Sequence, residues 1–325
     1  MALDALCLAA ALREVREAVL GGRIDKIAQP GPHDVVLSVR GNTGNVKVFL
    51  SADPAHPRLH LTTLERENPA SPPLFCILLR KHLSGARILS IEQPYMERTV
   101  TIALEATNEL GDKVSRTLVL EAMGRHADLL LLDGEGRIVD SLRRVDAEMS
   151  AARQVLPGLY YEPPAAGERL PVTAETAEGF LDRLAAANPE RQADAFLLDS
   201  YFGISPLMAS EMVFRAAGET DCRLCGLGES GRTRLWGEVQ RFVSAVLESR
   251  FTPVCLLRDG RPAEFSCLPV AQYGGAMETE IYGSFSGLLD AFYQAREQQE
   301  RVRQRGADLL RTAATARDRL LSKLA

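Results

Sequence analysis

The 325-residue chain has no uncharged run of about 18 residues, the length a membrane span needs, so no span is expected. An excess of basic residues is also missing. The formal net charge is −5, so a nucleic-acid partner would have to be held by local patches. Cysteines are few and scattered, at positions 7, 76, 222, 225, 255 and 267. Residues 1–12 carry an apolar helical pattern, but Asp4 interrupts it and no basic segment precedes it. The expectation is a cytoplasmic protein with free thiols. Cys222-Arg-Leu-Cys225 lacks a second Cys or His pair nearby and reads as loop thiols rather than a zinc site. None of the five histidines (33, 56, 60, 82 and 126) stands in HExxH, HxH or Cys-His spacing, and GxSxG, Walker and GxGxxG motifs are absent. Catalytic groups can assemble from distant positions, but no positive catalytic signal is present, and no metal or cofactor is expected.

What is present is an ordinary globular composition, 46 % apolar and 25 % charged. Residues 3–20 have helical apolar spacing ended by Gly21-Gly22. Strand-like runs follow at 23–29, 33–40 and 45–51, separated by Pro30-Gly31-Pro32 and by the turn at 41–44. Residues 72–83 predict a helix capped by Ser71. Further strands are expected at 88–93, 99–105, 117–123, 128–133 and 137–141, with Gly134-Glu135-Gly136 as a tight hairpin. Residues 157–167 read as a linker, and 173–188 and 191–198 as helices. Phe202–Pro206 is a sharp turn in which Ser205 caps a helix running to Ala217. Such a helix start can face a phosphate or serve as a plain connector. A helix at 235–248, strands near 251–257, 264–269 and 278–282, and a helix from Ser286 onward complete an α+β reading. That last segment, 286–325, holds eight Lys and Arg against five Asp and Glu, with a loose apolar stripe suited to a coiled coil.

Basic side chains recur at the ends of elements: Arg80-Lys81-His82, Arg87, Arg98, Arg125-His126 and Arg143-Arg144. Guanidinium groups suit phosphates and exposed bases, although helix C-termini favour Lys and Arg in any case. Glu97-Arg98 precedes a strand, where neighbouring residues point to opposite faces. One reading places one member of the pair inward and the other in a groove. The other is a surface pair worth under about 1 kcal/mol. In EAMGRHADLLLLD (121–133), the apolar run is a core strand and Gly124 permits close approach. Arg125-His126 then either face an RNA groove, or Arg125 pairs with Glu121 to hold the turn.

Six stretches, in order, resemble the ribosome-quality-control proteins called RqcH in bacteria and NEMF in animals, the NFACT proteins also named fibronectin-binding protein A. They are MALDALCLAAALREVREAVLGGRIDKIAQP, DPAHPRLHLT, FCILLRKHLSGARI, EAMGRHADLLLLD, GRIVDSLRRVDAEMSAARQVLPGLYY and FGISPLMASEMVFRAAG. The resemblance implies an NFACT-N domain at 1–170, a mixed β domain like that of formamidopyrimidine glycosylases. A helix–hairpin–helix region with a short β segment follows at 171–285, and 286–325 begins a coiled-coil arm whose remainder, with an NFACT-R domain, would lie beyond Ala325. It also implies a non-enzymatic factor that binds large ribosomal subunits obstructed by peptidyl-tRNA. Such a factor contacts rRNA and recruits tRNA, alanyl-tRNA in bacteria, for template-free tailing; the ribosome makes the peptide bond. The family's tRNA-recruiting aspartate and Asp-Arg pair map to Asp4 and to Glu97-Arg98, where glutamate replaces aspartate. Arg80, Lys81, Arg87, Glu121, Arg125 and His126 become candidate RNA or ribosome contacts.

Three rivals stand beside this reading. A formamidopyrimidine-type glycosylase needs an N-terminal proline followed by glutamate, whereas this chain begins Met1-Ala2-Leu3-Asp4 and lacks a four-cysteine zinc finger within these residues. A surface fibronectin-binding adhesin would need an export signal, and none is visible. A protein-binding scaffold would use the basic C-terminal helix.

Overall fold

The computed structural model describes residues 3–42, 44–94, 97–150, 153–164 and 169–324. Thr43 of the expected turn at 41–44, and 165–167 of the expected linker, lie outside them. Helix α1 (Ala5–Val19) begins where the Asp4 carboxylate accepts the Cys7 amide at 2.6 Å. Ten of its residues are buried, because its apolar positions cover most of its circumference. It stops where Gly21 takes φ +79°.

Four antiparallel strands follow: β1 (Arg23–Gly31), β2 (Asp34–Gly41), β3 (Gly44–Ser51) and β4 (Arg58–Thr62). Helix α2 (Leu74–Leu83) crosses over to a second meander of β5 (Arg87–Glu92), β6 (Thr99–Thr107), β7 (Lys113–Glu121), β8 (Asp128–Leu132) and β9 (Ile138–Ser141). The sheet order is β4-β3-β2-β1-β5-β6-β7-β8-β9, and the two meanders join through the pair Arg23–Arg87. Strand β8 is buried throughout. Leu129 and Leu131 face the main core, while Leu130 and Leu132 pack with Val119, Ile138 and Val155 on the other side. Covering both faces explains the unbroken apolar run.

Residues 170–202 contribute a short parallel pair, β10 (Leu170–Pro171) and β11 (Tyr201–Phe202), with α3 (Ala177–Ala186) and α4 (Ala193–Ser200) between them. Next come α5 (Pro206–Ala217) and α6 (Glu229–Leu247). A second small sheet, in the order β13-β12-β14, is built from β12 (Val254–Arg258), β13 (Arg261–Ser266) and β14 (Glu278–Ile281). The chain continues as α7 (Phe285–Leu324). One buried cluster runs from Leu3 on the sheet side to Tyr293 of α7. Among the described residues no helix is long and apolar enough to cross a membrane.

The α+β class and most element positions agree with the sequence reading. Several details differ. Strand β4 was not expected. Helix α2 starts at Leu74 with no side-chain cap, because Pro72-Pro73 delay it beyond the reach of Ser71. The helix expected over 173–188 begins at Ala177, where the Thr176 hydroxyl accepts the Gly179 amide at 3.1 Å. Helix α6 starts six residues before the expected position 235. In the C-terminal stripe Leu288, Leu289 and Phe292 belong to the core, whereas Val302, Leu309 and Leu310 are exposed.

The base of α7 is fixed from two sides. Glu14 of α1 accepts the amides of Phe285 (2.6 Å) and Ser286 (2.9 Å), supplying from a distance the cap that a helix start requires. Asp290 accepts the Thr62 hydroxyl (2.8 Å) and the Thr63 amide (2.9 Å) of the segment at β4. Replacing Glu14 by Ala should lower stability by about 1–2 kcal/mol. Thermal melting, with amide exchange at Phe285 and Ser286 rising more than in β6 and β7, checks this.

Candidate nucleic-acid interface

A cleft of about 1030 Å³ opens between the large sheet and the α4–α5 region. Asp4, Glu97 and Arg98 lie on one wall. Asp4 is there because it caps α1. Glu97 and Arg98 stand in the turn before β6, with the Glu97 amide donating to the Pro94 carbonyl at 2.9 Å. The Arg98 carbonyl accepts the Ala122 amide at 2.7 Å, continuing the β6–β7 ladder. Both members of the pair line the cleft and neither turns into the core, because a turn does not impose the alternation of a strand. Burial raises the Glu97 pKa above its ordinary value. Partial desolvation lowers that of Arg98, while the Asp4 carboxylate pulls it up and Arg169 pushes it down.

The facing wall is made by α4, by the turn before α5 and by the loop after β13. The turn holds Gly203 at φ +91°, and the Ser205 hydroxyl accepts the Met208 amide at 3.3 Å. Ser205 therefore caps α5, as expected, and the helix start opens onto the cleft. Asp194, Asp199 and Glu264 add carboxylates here, and Tyr273 donates its hydroxyl to Glu264 at 2.8 Å. Buried Glu211 accepts the Ala271 and Gln272 amides at 2.9 Å and the Arg215 guanidinium at 2.6 Å, which fixes the loop carrying Gln272 and Tyr273. Five carboxylates thus face two guanidinium groups, those of Arg98 and Arg169. Such a lining suits hydrogen-bond donors, such as exocyclic amines of bases, better than a row of phosphates.

The other expected residues lie outside this lining. Arg80 donates to the Ile27 carbonyl at 2.8 Å and ties α2 to β1. Lys81 pairs with Glu109 at 3.0 Å, and Arg87 donates to the Gly21 carbonyl at 3.2 Å. Arg125 and His126 form an exposed turn after Gly124, whose φ is +58°, with Arg125 Nε 3.0 Å from His126 Nε2. Met123, two residues before Arg125, lines the cleft, whereas Arg125 and His126 do not. Sequence reasoning missed Gln93, Glu211 and the wall of Asp194, Asp199, Gln272 and Tyr273. Only the turn at 202–206 carried a readable signal for that wall. Among the described residues no group of three or more His, Cys, Asp or Glu side chains is placed to hold a metal ion. Cys222 is buried and Cys225 exposed, both as free thiols.

Residues 4–325 match the family of NFACT N-terminal and middle domains. The chain is 34 % identical over 325 residues to the Rqc2 homolog RqcH of Bacillus subtilis (strain 168), covering all of this chain and 54 % of that protein. It is 30 % identical over 319 residues to the Rqc2 homolog RqcH of Streptococcus pneumoniae serotype 2, covering 96 % of this chain and 51 % of that one. The chain therefore spans about half the length of these curated relatives. Its structure is similar to that of the N-terminal part of the fibronectin/fibrinogen-binding protein from Streptococcus suis. The TM-score is 0.72 at 28 % identity, over 90 % of this chain and 98 % of that one. These findings agree with the resemblance drawn from the six sequence stretches.

Glu121 has a different partner from the one weighed in the sequence. It is buried, and Arg153 grips it through two hydrogen bonds of 2.9 and 2.5 Å while the Tyr161 hydroxyl adds a third at 2.9 Å. The pairing with Arg125 is not made; Glu121 fastens the 153–161 segment onto β7. Asp128 lies opposite it in the ladder. One Asp128 oxygen accepts the Leu129 amide (2.8 Å) and the Arg143 amide (3.0 Å); the other is buried without a partner. Burial pushes the Asp128 pKa up to about 7, the two amides oppose it, Glu121 adds to it and Arg153 offsets it. A carboxyl with a folded pKa above its unfolded one stabilises through its bound proton. That contribution is full below about pH 4 and is lost as pH rises to about 7. Asp128→Asn should therefore match the wild type near pH 4 and be more stable by about 1–3 kcal/mol above pH 7, as read by melts across that range.

Proposed function

Because the chain belongs to the family of NFACT N-terminal and middle domains, we propose that it is an RNA-binding part of a ribosome-quality-control factor and that its cleft engages tRNA. In this reading the factor acts on large ribosomal subunits obstructed by peptidyl-tRNA, contacts rRNA, and brings in tRNA, alanyl-tRNA among them, for template-free tailing of the stalled chain. The protein recruits and the ribosome catalyses, so no nucleophile or base is required of it. The observation that supports this most is that Asp4 and Glu97-Arg98, far apart in sequence, stand on one wall of one cleft.

The chemistry of the cleft gives the reading a shape. Carboxylates accept from exocyclic amines, and a guanidinium pairs with guanine or stacks on a base. Unpaired tRNA bases then enter the cleft, while phosphates stay outside it, where basic side chains such as Arg125 and His126 are exposed. Glu97 reaches one methylene further than the aspartate the family resemblance implies, and so accepts from a donor set deeper or tilted in the cleft.

Titration of the chain with tRNA at two salt concentrations, beside Arg98→Ala, tests the proposal. Wild-type affinity should fall steeply with salt. Arg98→Ala should bind about tenfold more weakly at both salts, because removing a hydrogen bond to a base edge leaves every phosphate pairing, and hence the salt slope, nearly unchanged. Equal affinity of the two proteins would overturn the reading. Fibronectin in place of tRNA in the same titration tests the adhesin alternative.

A further inference from the structure

Asp4 caps the first turn of α1, and Glu97-Arg98 belongs to the β5–β6 connection. One side chain joins these two segments. Gln93, one residue past β5, donates from its amide nitrogen to the Ala5 carbonyl at 2.8 Å and to the Glu97 carbonyl at 2.8 Å. A carboxamide nitrogen has two protons, so both are committed. Ala5 follows Asp4 directly, and the Glu97 carbonyl is the peptide link to Arg98. The amide therefore spans the gap between the two halves of the cleft wall. On its far side the Arg98 carbonyl is already held by the Ala122 amide. Gln93 and Ala122 between them fix consecutive peptide units of the pair.

We infer that Gln93 is a positioning residue that sets the distance and orientation of Glu97-Arg98 relative to Asp4 for the ligand of the cleft. Other residue types do not substitute. Asparagine is shorter by one methylene and does not span both carbonyls. Glutamate presents oxygens to two carbonyl oxygens and lacks the protons. Methionine keeps the length and flexibility of glutamine without a donor. The functional side of this inference rests on the tRNA reading above; its structural side does not.

The test has two arms. In the first, tRNA affinity is measured for the wild type, Gln93→Met, Arg98→Ala and the double variant. If Gln93 acts by placing the pair, Gln93→Met weakens binding about tenfold in the wild-type background but only about threefold when Arg98 is already alanine, because Glu97 alone then remains to be placed. A general loss of structure would instead weaken both backgrounds equally, and that result, or wild-type binding by Gln93→Met, overturns the inference. In the second arm, amide exchange is followed without ligand. Gln93→Met should speed exchange at Glu97 about tenfold while Ile102 and Leu118, within the β6–β7 ladder, stay unchanged. Unchanged exchange at Glu97 also overturns it. If Arg98→Ala binds tRNA as the wild type does, the tRNA reading fails, and the exchange arm still decides whether Gln93 holds the turn. Should Gln93→Met fail to fold, Gln93→Asn takes its place in both arms, with the same expected directions and the same overturning results.

Discussion

The Asp4 carboxylate accepts the Cys7 amide at 2.6 Å, and from that bond a buried helix starts on which both ends of the molecule depend. Helix α1 fills the interior of the first meander so closely that a Cβ added at Gly41 would meet the Ala18 carbonyl oxygen at 2.0 Å. Its fully buried leucines and valines each contribute about 1.5–3 kcal/mol on burial, so its axis is fixed by packing rather than by helix propensity. Three polar contacts then take their bearings from that axis. Asp4 faces the cleft, the Ala5 carbonyl receives Gln93, and Glu14 receives the first amides of α7. Cleft wall and C-terminal helix are therefore referenced to one rigid element.

That arrangement explains which parts of the structure were legible in the sequence. Elements whose signals are local stood out: α1 by its apolar spacing ahead of Gly21-Gly22, the hairpin at Gly134–Gly136, and α5 behind Ser205-Pro206. Strand β4 did not, because Arg58 and His60 occupy buried positions that ordinarily take apolar residues. They are acceptable there only because α7 supplies partners. The Arg58 guanidinium lies between the rings of Phe49 and Tyr293, at 4.8 and 4.1 Å from their centroids, and His60 lies 3.1 Å from Asp290. No local pattern announces a partner more than two hundred residues away. The cleft shows the same division. Asp4 was found through resemblance, Glu97-Arg98 stood out as a charged pair before a strand and took its role from the resemblance, and the facing wall of acidic and amide side chains had no signal beyond the turn at 202–206.

Basic residues at the ends of elements carried two readings, fastening and RNA contact, and their hydrogen-bond partners divide them. Arg80, Lys81 and Arg87 are engaged in joining α2 to β1, α2 to the β6–β7 hairpin, and β5 to the end of α1. Pairs of this kind at the surface are worth little individually. Arg153 also fastens, through two hydrogen bonds to Glu121, and it was not singled out among the basic residues because that partner lies 32 positions away. Of these element-end residues Arg98 lines the cleft, while Arg125 and His126 stay exposed in their turn.

Placing two arginines among five carboxylates has a physical consequence. A phosphate entering this cleft would meet more repulsion than attraction, whereas a base edge bearing donors would meet acceptors already oriented by α1 and by the Glu211-held loop. Orientation matters because each polar group here gives up water to bind, and the gain is recovered only when the geometry of the new hydrogen bond is good. A carboxylate such as Glu97, whose pKa burial already raises, is more sensitive to this than a solvated one. Its longer side chain adds a rotatable bond that must be frozen on binding. The cleft can offset that entropy only if the backbone beneath Glu97 does not also move, which is the condition the hydrogen bond between the Gln93 amide and the Glu97 carbonyl meets.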